Sequence, residues 1–151
     1  MGSSLVKIDV HLIFHIKTTS PLMAEEDLEQ IFRYIGGAII DIGGIQIQIG
    51  GVSTHVHILS SLPKTMSVSE FVKKIKVESS KWIKTINDNY CTFSWQTGYG
   101  AFSVSPSLLD KTIQYIKNQP EHHKMRTFQE EYRMLLEAHG IKYDERYAFS
   151  D

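Results

Sequence analysis

Apolar and polar side chains alternate from residue 5 to residue 17, in "LVKIDVHLIFHIK". Val6, Ile8, Val10, Leu12, Phe14 and Ile16 fall on one face of a strand, and Lys7, Asp9, His11, Ile13, His15 and Lys17 on the other. One face is expected to be buried. His11 and His15, on the other, either neighbour a site or are solvated, solvation being the commoner outcome. A helix is expected from Ser20-Pro21, because proline is tolerated in the first turn and Glu25, Glu26, Asp27 and Glu29 suit the positive end of the dipole. Its packed side reads Leu28, Ile31, Phe32, Ile35 and Ile39, and Gly43-Gly44 stops it. Ile45, Ile47 and Ile49 then alternate with Gln46 and Gln48, and Gly50-Gly51 leads directly into "HVHILS", which predicts a hairpin.

Ser67 and Glu70 have capping-box spacing, so the next helix is expected from Val68 to about Ile86. Val68, Phe71, Val72, Ile75, Trp82, Ile83 and Ile86 gather on one side of it, and Lys73, Lys74, Lys76, Lys81 and Lys84 on the opposite side. A last strand is expected near Ala101 to Val104, where Trp95, Tyr99 and Phe102 are either core or platforms for stacked bases. Ser105-Pro106 opens a helix with Leu109, Ile113 and Ile116 buried. Pro120 disfavours helical geometry at Gln119, and a final helix from about Glu121 to His139 would pack Met125, Phe128, Tyr132, Leu135 and Leu136. The order β-α-β-β-α-β-α-α predicts an α+β fold, an antiparallel sheet of the ferredoxin-like kind with helices mainly on one face, formed by one domain over residues 1–151.

Composition narrows the class. With 151 residues, 42% hydrophobic and 22% charged, the chain reads as globular rather than disordered or fibrous. One cysteine, Cys91, excludes an internal disulfide and fits a reducing compartment. No apolar run is long enough to span a bilayer, the start lacks a signal-peptide profile, and Val6 stands where a myristoylation site needs Ser or Thr. A cytoplasmic protein with no membrane partner is expected. The net charge of −1 hides a segregation: residues 1–63 carry three basic and six acidic groups, residues 64–84 six lysines against two glutamates, and the remainder seven basic and nine acidic groups. A stripe of lysines that repel one another is either a solvated helix face or a track for a polyanion.

Two spacings carry candidate chemistry. His55 and His57 alternate with Val56 and Ile58, so both imidazoles point away from the core on the same side of a strand. They are either two solvated rings or a rigid claw for a divalent metal or a phosphate. Tyr115 and Gln119 are four residues apart and share a helix face just before Pro120. They are either a structural aromatic with a helix-end amide, or members of a site on a segment that can pivot. His122 and His123 read as surface residues at a helix start, or as phosphate contacts.

The "HVH" strand, "SVSEFVKKIK", "GYGAFSVS", and "YIKNQPEHH" followed by "FQEEYRMLLEAHGIKYDERY" together resemble the single-tyrosine HUH transposases, the TnpA-type enzymes of the smallest insertion sequences. The resemblance covers nearly the whole chain, in the family's order. It implies that His55, His57 and Gln119 bind a divalent metal, Mg2+ or Mn2+, and that Tyr115 is the nucleophile. It implies cleavage and rejoining of single-stranded DNA at hairpin-flanked element ends, through a 5′-phosphotyrosine with a free 3′-OH. It also implies a homodimer in which the tyrosine helix of one protomer completes the histidine site of the other, with DNA contacts along the lysine face. The family commonly has an acidic residue before the first histidine, and Thr54 stands there, which bears on metal affinity. A domesticated hairpin-DNA-binding module without cleavage activity is the alternative function. The phosphoesterases that use two H-x-[ST] motifs do not fit, since a second copy is missing.

Overall fold

A computed structural model of the chain describes residues 2–151. Its elements in order are β1 (Asp9–His15), α1 (Glu25–Asp41), β2 (Ile45–Val52), β3 (His55–Ser61), α2 (Val68–Ile83), β4 (Gly100–Val104), α3 (Leu109–Lys117), α4 (Gln119–His122), α5 (Phe128–Ala138) and α6 (Glu145–Ala148), with short 3-10 turns at Asp88–Tyr90 and Pro106–Leu108. The four strands form one sheet in the order β2-β3-β1-β4, and every neighbouring pair is antiparallel. β3 therefore lies between β1 and β2, as the split β-α-β arrangement of the ferredoxin-like fold requires.

The two longest helices cover one face. Val10, Leu12 and Phe14 of β1 and Val56 and Ile58 of β3 meet Ile31, Ile35 and Ile39 of α1 and Phe71, Val72 and Ile75 of α2 in the main core. Ser67 caps α2 by accepting from the Glu70 backbone N–H, as its spacing predicts. The opposite face is also covered. Ile13 of β1 and Phe102 of β4 pack with Tyr132 and Leu136 of α5, so β1 and β3 are buried on both sides along their whole length.

Several boundaries differ from the periodicity, each for a physical reason. β1 starts at Asp9 rather than residue 5, because its partners run out there: Asp9 pairs with Ser61, the last residue of β3, and with Val104, the last of β4. Val6 and Ile8 keep the alternation and, like Leu5, are exposed. α1 starts at Glu25, four residues beyond Pro21, since Ser20 Oγ is engaged by the Ser94 N–H. A bulge between Gln46 and Gln48 breaks the alternation in β2, so Gln46 turns against Gly36 of α1 while Ile45 faces solvent at 65% exposure. The expected last helix is divided, α4 from α5, by residues 123–127. Thr127 caps α5 by accepting from the Glu130 N–H, and Met125 is exposed rather than packed.

One close approach sets up the site. β2 passes under the end of α3 at Gly50, where a Cβ would lie 2.7 Å from the Ile116 carbonyl oxygen and 2.9 Å from its Cγ2. Only glycine lets the helix settle this low, and that places Tyr115 beside the histidine strand. Among the described residues no helix is long and apolar enough to cross a membrane.

Candidate active site

His55 and His57 stand on the face of β3 turned toward α3 and α5, with their ring centroids 5.3 Å apart and both side chains wholly buried. The solvated alternative is thereby overturned. Burial follows from the second layer of helices, which a reading of β3 by itself could not reveal. Gln119, at the first position of α4, brings its Oε1 to 3.3 Å from His55 Nε2. Glu131, from α5, brings its Oε1 to 3.1 Å from His57 Nε2 and 3.4 Å from His55 Nε2. The Tyr115 hydroxyl donates to Glu131 Oε2, and the Gln119 amide donates to the same oxygen at 2.9 Å. Tyr115, Gln119, His55 and His57 therefore meet within one chain.

Glu131 was not expected. Its signal is present in the sequence: Phe128, Tyr132, Leu135 and Leu136 form the apolar stripe of α5, and position 131 lies inside that stripe. A carboxylate there must be paired, and Glu131 is, to three rings and a phenol. His123 is the third imidazole, with Nε2 3.2 Å from Glu131 Oε1, so it belongs to the site rather than to the open surface. His122 lies against the Tyr115 ring, centroids 4.9 Å apart.

His11 is corrected as well. It is 4% exposed, and its Nε2 lies 2.8 Å from His57 Nδ1. His15 is likewise buried, but its Nδ1 is turned to the Ile16 carbonyl and it takes no part in the cluster. Thr54, in the position where an acid was expected, has its Oγ1 3.0 Å from His55 Nδ1.

The electrostatics follow from burial. Desolvation lowers the pKa of His11 to about 3, reinforced by the neighbouring His57, and it lowers that of His55 to about 4 against the opposing pull of Glu131. Both rings are neutral at neutral pH, the form in which an imidazole binds metal. Burial alone would raise the Glu131 carboxyl, but hydrogen bonds from His123, His55 and His57 outweigh it and hold the group well below the usual carboxylate range. The Tyr115 phenol is raised, first by burial and then by the hydrogen bond and charge of Glu131.

The donor set fits a divalent cation. His55 Nε2, His57 Nε2 and Glu131 Oε1 offer atoms that all lie within 4.8 Å of one another, and Gln119 Oε1 adds a fourth. The closest separations, 3.1–3.4 Å, match the roughly 3.0–3.4 Å edges of a polyhedron with bonds of about 2.1 Å. Loading also requires each Nε2 to expose a lone pair, which moves the ring proton to Nδ1. Thr54 Oγ1 can then accept from His55, and neutral His11 Nε2 can accept from His57. A hydroxyl and a neutral imidazole can each donate or accept, so the same partners satisfy both tautomers.

The lysines divide. Lys73, Lys74 and Lys81 on α2, and Lys84 just past its end, are exposed. Lys76 turns inward: its Nζ donates to the carbonyls of Gln96 (2.8 Å), Thr97 (3.2 Å) and Gly98, and burial lowers its pKa to about 8. It fastens the loop before β4 and is withdrawn from the exposed stripe. Trp95 and Phe102 are core, Trp95 donating to Ser79 Oγ at 3.0 Å.

Known structures share this fold. A protein from Deinococcus radiodurans R1 described as a transposase matches with a TM-score of 0.61 at 19% identity, over 79% of this chain and 95% of its own. A REP-associated tyrosine transposase solved with a REP hairpin matches with a TM-score of 0.58 at 13% identity, over 82% of this chain and 73% of its own. No curated protein matches the sequence. The family described as transposase, IS200-like, matches residues 4–119, more than half of the chain and all of the sheet, so the chain belongs to the IS200-like transposase family.

Proposed function

We propose that this transposase cuts and rejoins single-stranded DNA at hairpin-flanked ends with Tyr115 as the nucleophile. The observation that carries the reading is the hydrogen bond from the Tyr115 hydroxyl to Glu131, whose other oxygen touches both His55 and His57. The phenol oxygen attacks the scissile phosphorus, a phosphotyrosine bond forms at the 5′ side, and the 3′ oxygen leaves. Glu131 Oε2 accepts from the phenol and so orients its oxygen, and the phenol proton ends on the departing 3′ oxygen. Rejoining reverses the exchange with a new 3′-OH, so no nucleotide triphosphate is consumed. Mg2+ or Mn2+ held by His55, His57, Glu131 and Gln119 would act as a Lewis acid on the phosphate and offset the charge that Glu131 places beside the phenol. Two nitrogen donors favour Mn2+ over the oxygen-seeking Mg2+ in vitro.

Hairpin DNA is the proposed partner, in line with the hairpin bound to the REP-associated relative, and Lys73, Lys74, Lys81 and Lys84 are the proposed backbone contacts. Tyr115 rests over the histidines of its own chain. The homodimer with exchanged tyrosine helices is retained as a proposal, because α3 and α4 meet at Asn118, a joint outside both helices.

The test is a covalent adduct. Wild-type protein with Mn2+ and a hairpin-bearing oligonucleotide from its own element should form a protein–DNA species that Tyr115→Phe abolishes. Tight hairpin binding with no adduct from the wild type would favour the binding-module alternative. Mixing Tyr115→Phe with His55→Ala protein restores the adduct only if the tyrosine works in trans.

A further inference from the structure

Beside Tyr115, a cleft of about 290 Å3 runs between α3 and α5 over β4. Its floor is the Phe102 ring beside His11, and the His139 ring stacks on Phe102 with centroids 4.4 Å apart and 29° between planes. Its end wall is Tyr115 itself. Leu108, 48% exposed, lies at the mouth. Lys111, one helical turn before Tyr115, stands on the rim with an exposed side chain.

We propose that this cleft holds one unpaired base of the DNA strand, that of the nucleotide bonded to the scissile phosphate. The inference rests on the tyrosine-transfer reading and adds a base-binding subsite to it. Three features select the occupant. The volume lies at the small end of ligand pockets, enough for one flat heterocycle and far too little for a duplex. The open aromatic plane is the exposed His139 ring, backed by buried Phe102, and an aromatic plane stacks on any base. The cleft also joins a cation to the nucleophile on one helix: with a base against His139, its own phosphate can reach Tyr115 and the next can meet Lys111. A peptide or lipid occupant gives no reason for that junction, whereas a nucleic-acid strand needs all three parts in that order.

The test uses Tyr115→Phe protein and a hairpin-bearing oligonucleotide with 5-iodo-deoxyuridine at successive single-stranded positions. Ultraviolet crosslinking should place one position on His139, found by mass spectrometry of the peptides. His139→Ala with Lys111→Ala should weaken binding of the same oligonucleotide roughly ten- to hundredfold, and so should an abasic site at the crosslinked position. These readouts need no cleavage, so they stand apart from the adduct test: an adduct with crosslinks only elsewhere overturns the subsite and leaves the transfer reading intact. Absence of both crosslinks and effect in His139→Ala/Lys111→Ala protein overturns it whatever the adduct assay gives.

Discussion

His11 stands directly behind His57, its Nε2 2.8 Å from His57 Nδ1, on the strand that pairs with β3. A buried neutral ring in that place can accept from His57 Nδ1–H, and so supports the tautomer whose Nε2 is free to bind a cation. His11→Ala should lower Mn2+ affinity by about 10- to 100-fold, measured by titration of free Mn2+, while far-ultraviolet circular dichroism stays native. His11→Asn, which can still accept at that point, should recover part of the loss. Unchanged affinity in both variants would remove His11 from the site.

Stability should fall on the acid side of neutrality. The folded pKa values of His11 and His55, about 3 and 4, lie below the unfolded value of about 6.5, so the unfolded chain binds more protons between these limits. The stabilisation is complete above pH 6.5 and is lost as pH drops toward 4. At pH 5 the loss is on the order of 2 kcal/mol per ring, and thermal unfolding of metal-free protein at pH 7 and pH 5 should show it. In His11→Asn the slope should be about halved.

Gly50 is a spacing device for the nucleophile. Gly50→Ala puts a methyl group 2.7 Å from the Ile116 carbonyl, which forces α3 off the sheet. A loss of about 1–3 kcal/mol in urea unfolding is expected, with a larger fall in adduct formation than in hairpin binding. Gly37→Ala is the control, since nothing lies within 4 Å of its added carbon and a solvent-facing helical position gains from alanine.

Glu131→Gln removes a charge and leaves the shape. Mn2+ affinity should drop, and the Tyr115 phenol should titrate lower than in the wild type, because the carboxylate that raises it is gone while burial remains. Ultraviolet absorbance of the phenolate, compared with Tyr115→Phe and Glu131→Gln/Tyr115→Phe proteins, isolates the shift. A phenol that titrates no lower would mean that burial alone sets its pKa.

Two kinds of lysine should part company. Lys76→Met leaves three carbonyls without their donor and should cost about 1–3 kcal/mol of stability. Lys73→Glu with Lys74→Glu should leave unfolding nearly unchanged, weaken hairpin binding and flatten its dependence on salt concentration. Salt-independent binding in the wild type would argue against a polyanion on this face.

The sheet and its first layer were legible because local periodicity controls them: the strand around His55, the capped start of α2 and the β-α-β-β-α-β order all follow from spacing within a few residues. The claw of His55 and His57 and the shared face of Tyr115 and Gln119 were legible for the same reason. The rest depends on contacts between residues far apart in the chain. His11 looks like a solvent-facing ring until β3 lies beside it and α5 above it. Glu131 looks like one more acid in "FQEEYR" until the stripe of α5 is laid against the imidazoles. Lys76 shares the lysine periodicity, and only the carbonyls of residues 96–98 draw it inward. Thr127 did carry a local signal, a cap three residues before Glu130, which divides the last helix where continuous apolar spacing did not.

The family match stops at Gln119, yet α5 and its Glu131 come afterward and seal the histidines from above. On the proposed chemistry, that roof decides the fate of the covalent intermediate. A phosphotyrosine kept from bulk solvent can be released only by an incoming strand end, whereas one left uncovered would be open to hydrolysis and yield broken DNA. On that proposal, the helix that carries Glu131 bears on whether the protein rearranges DNA or merely severs it.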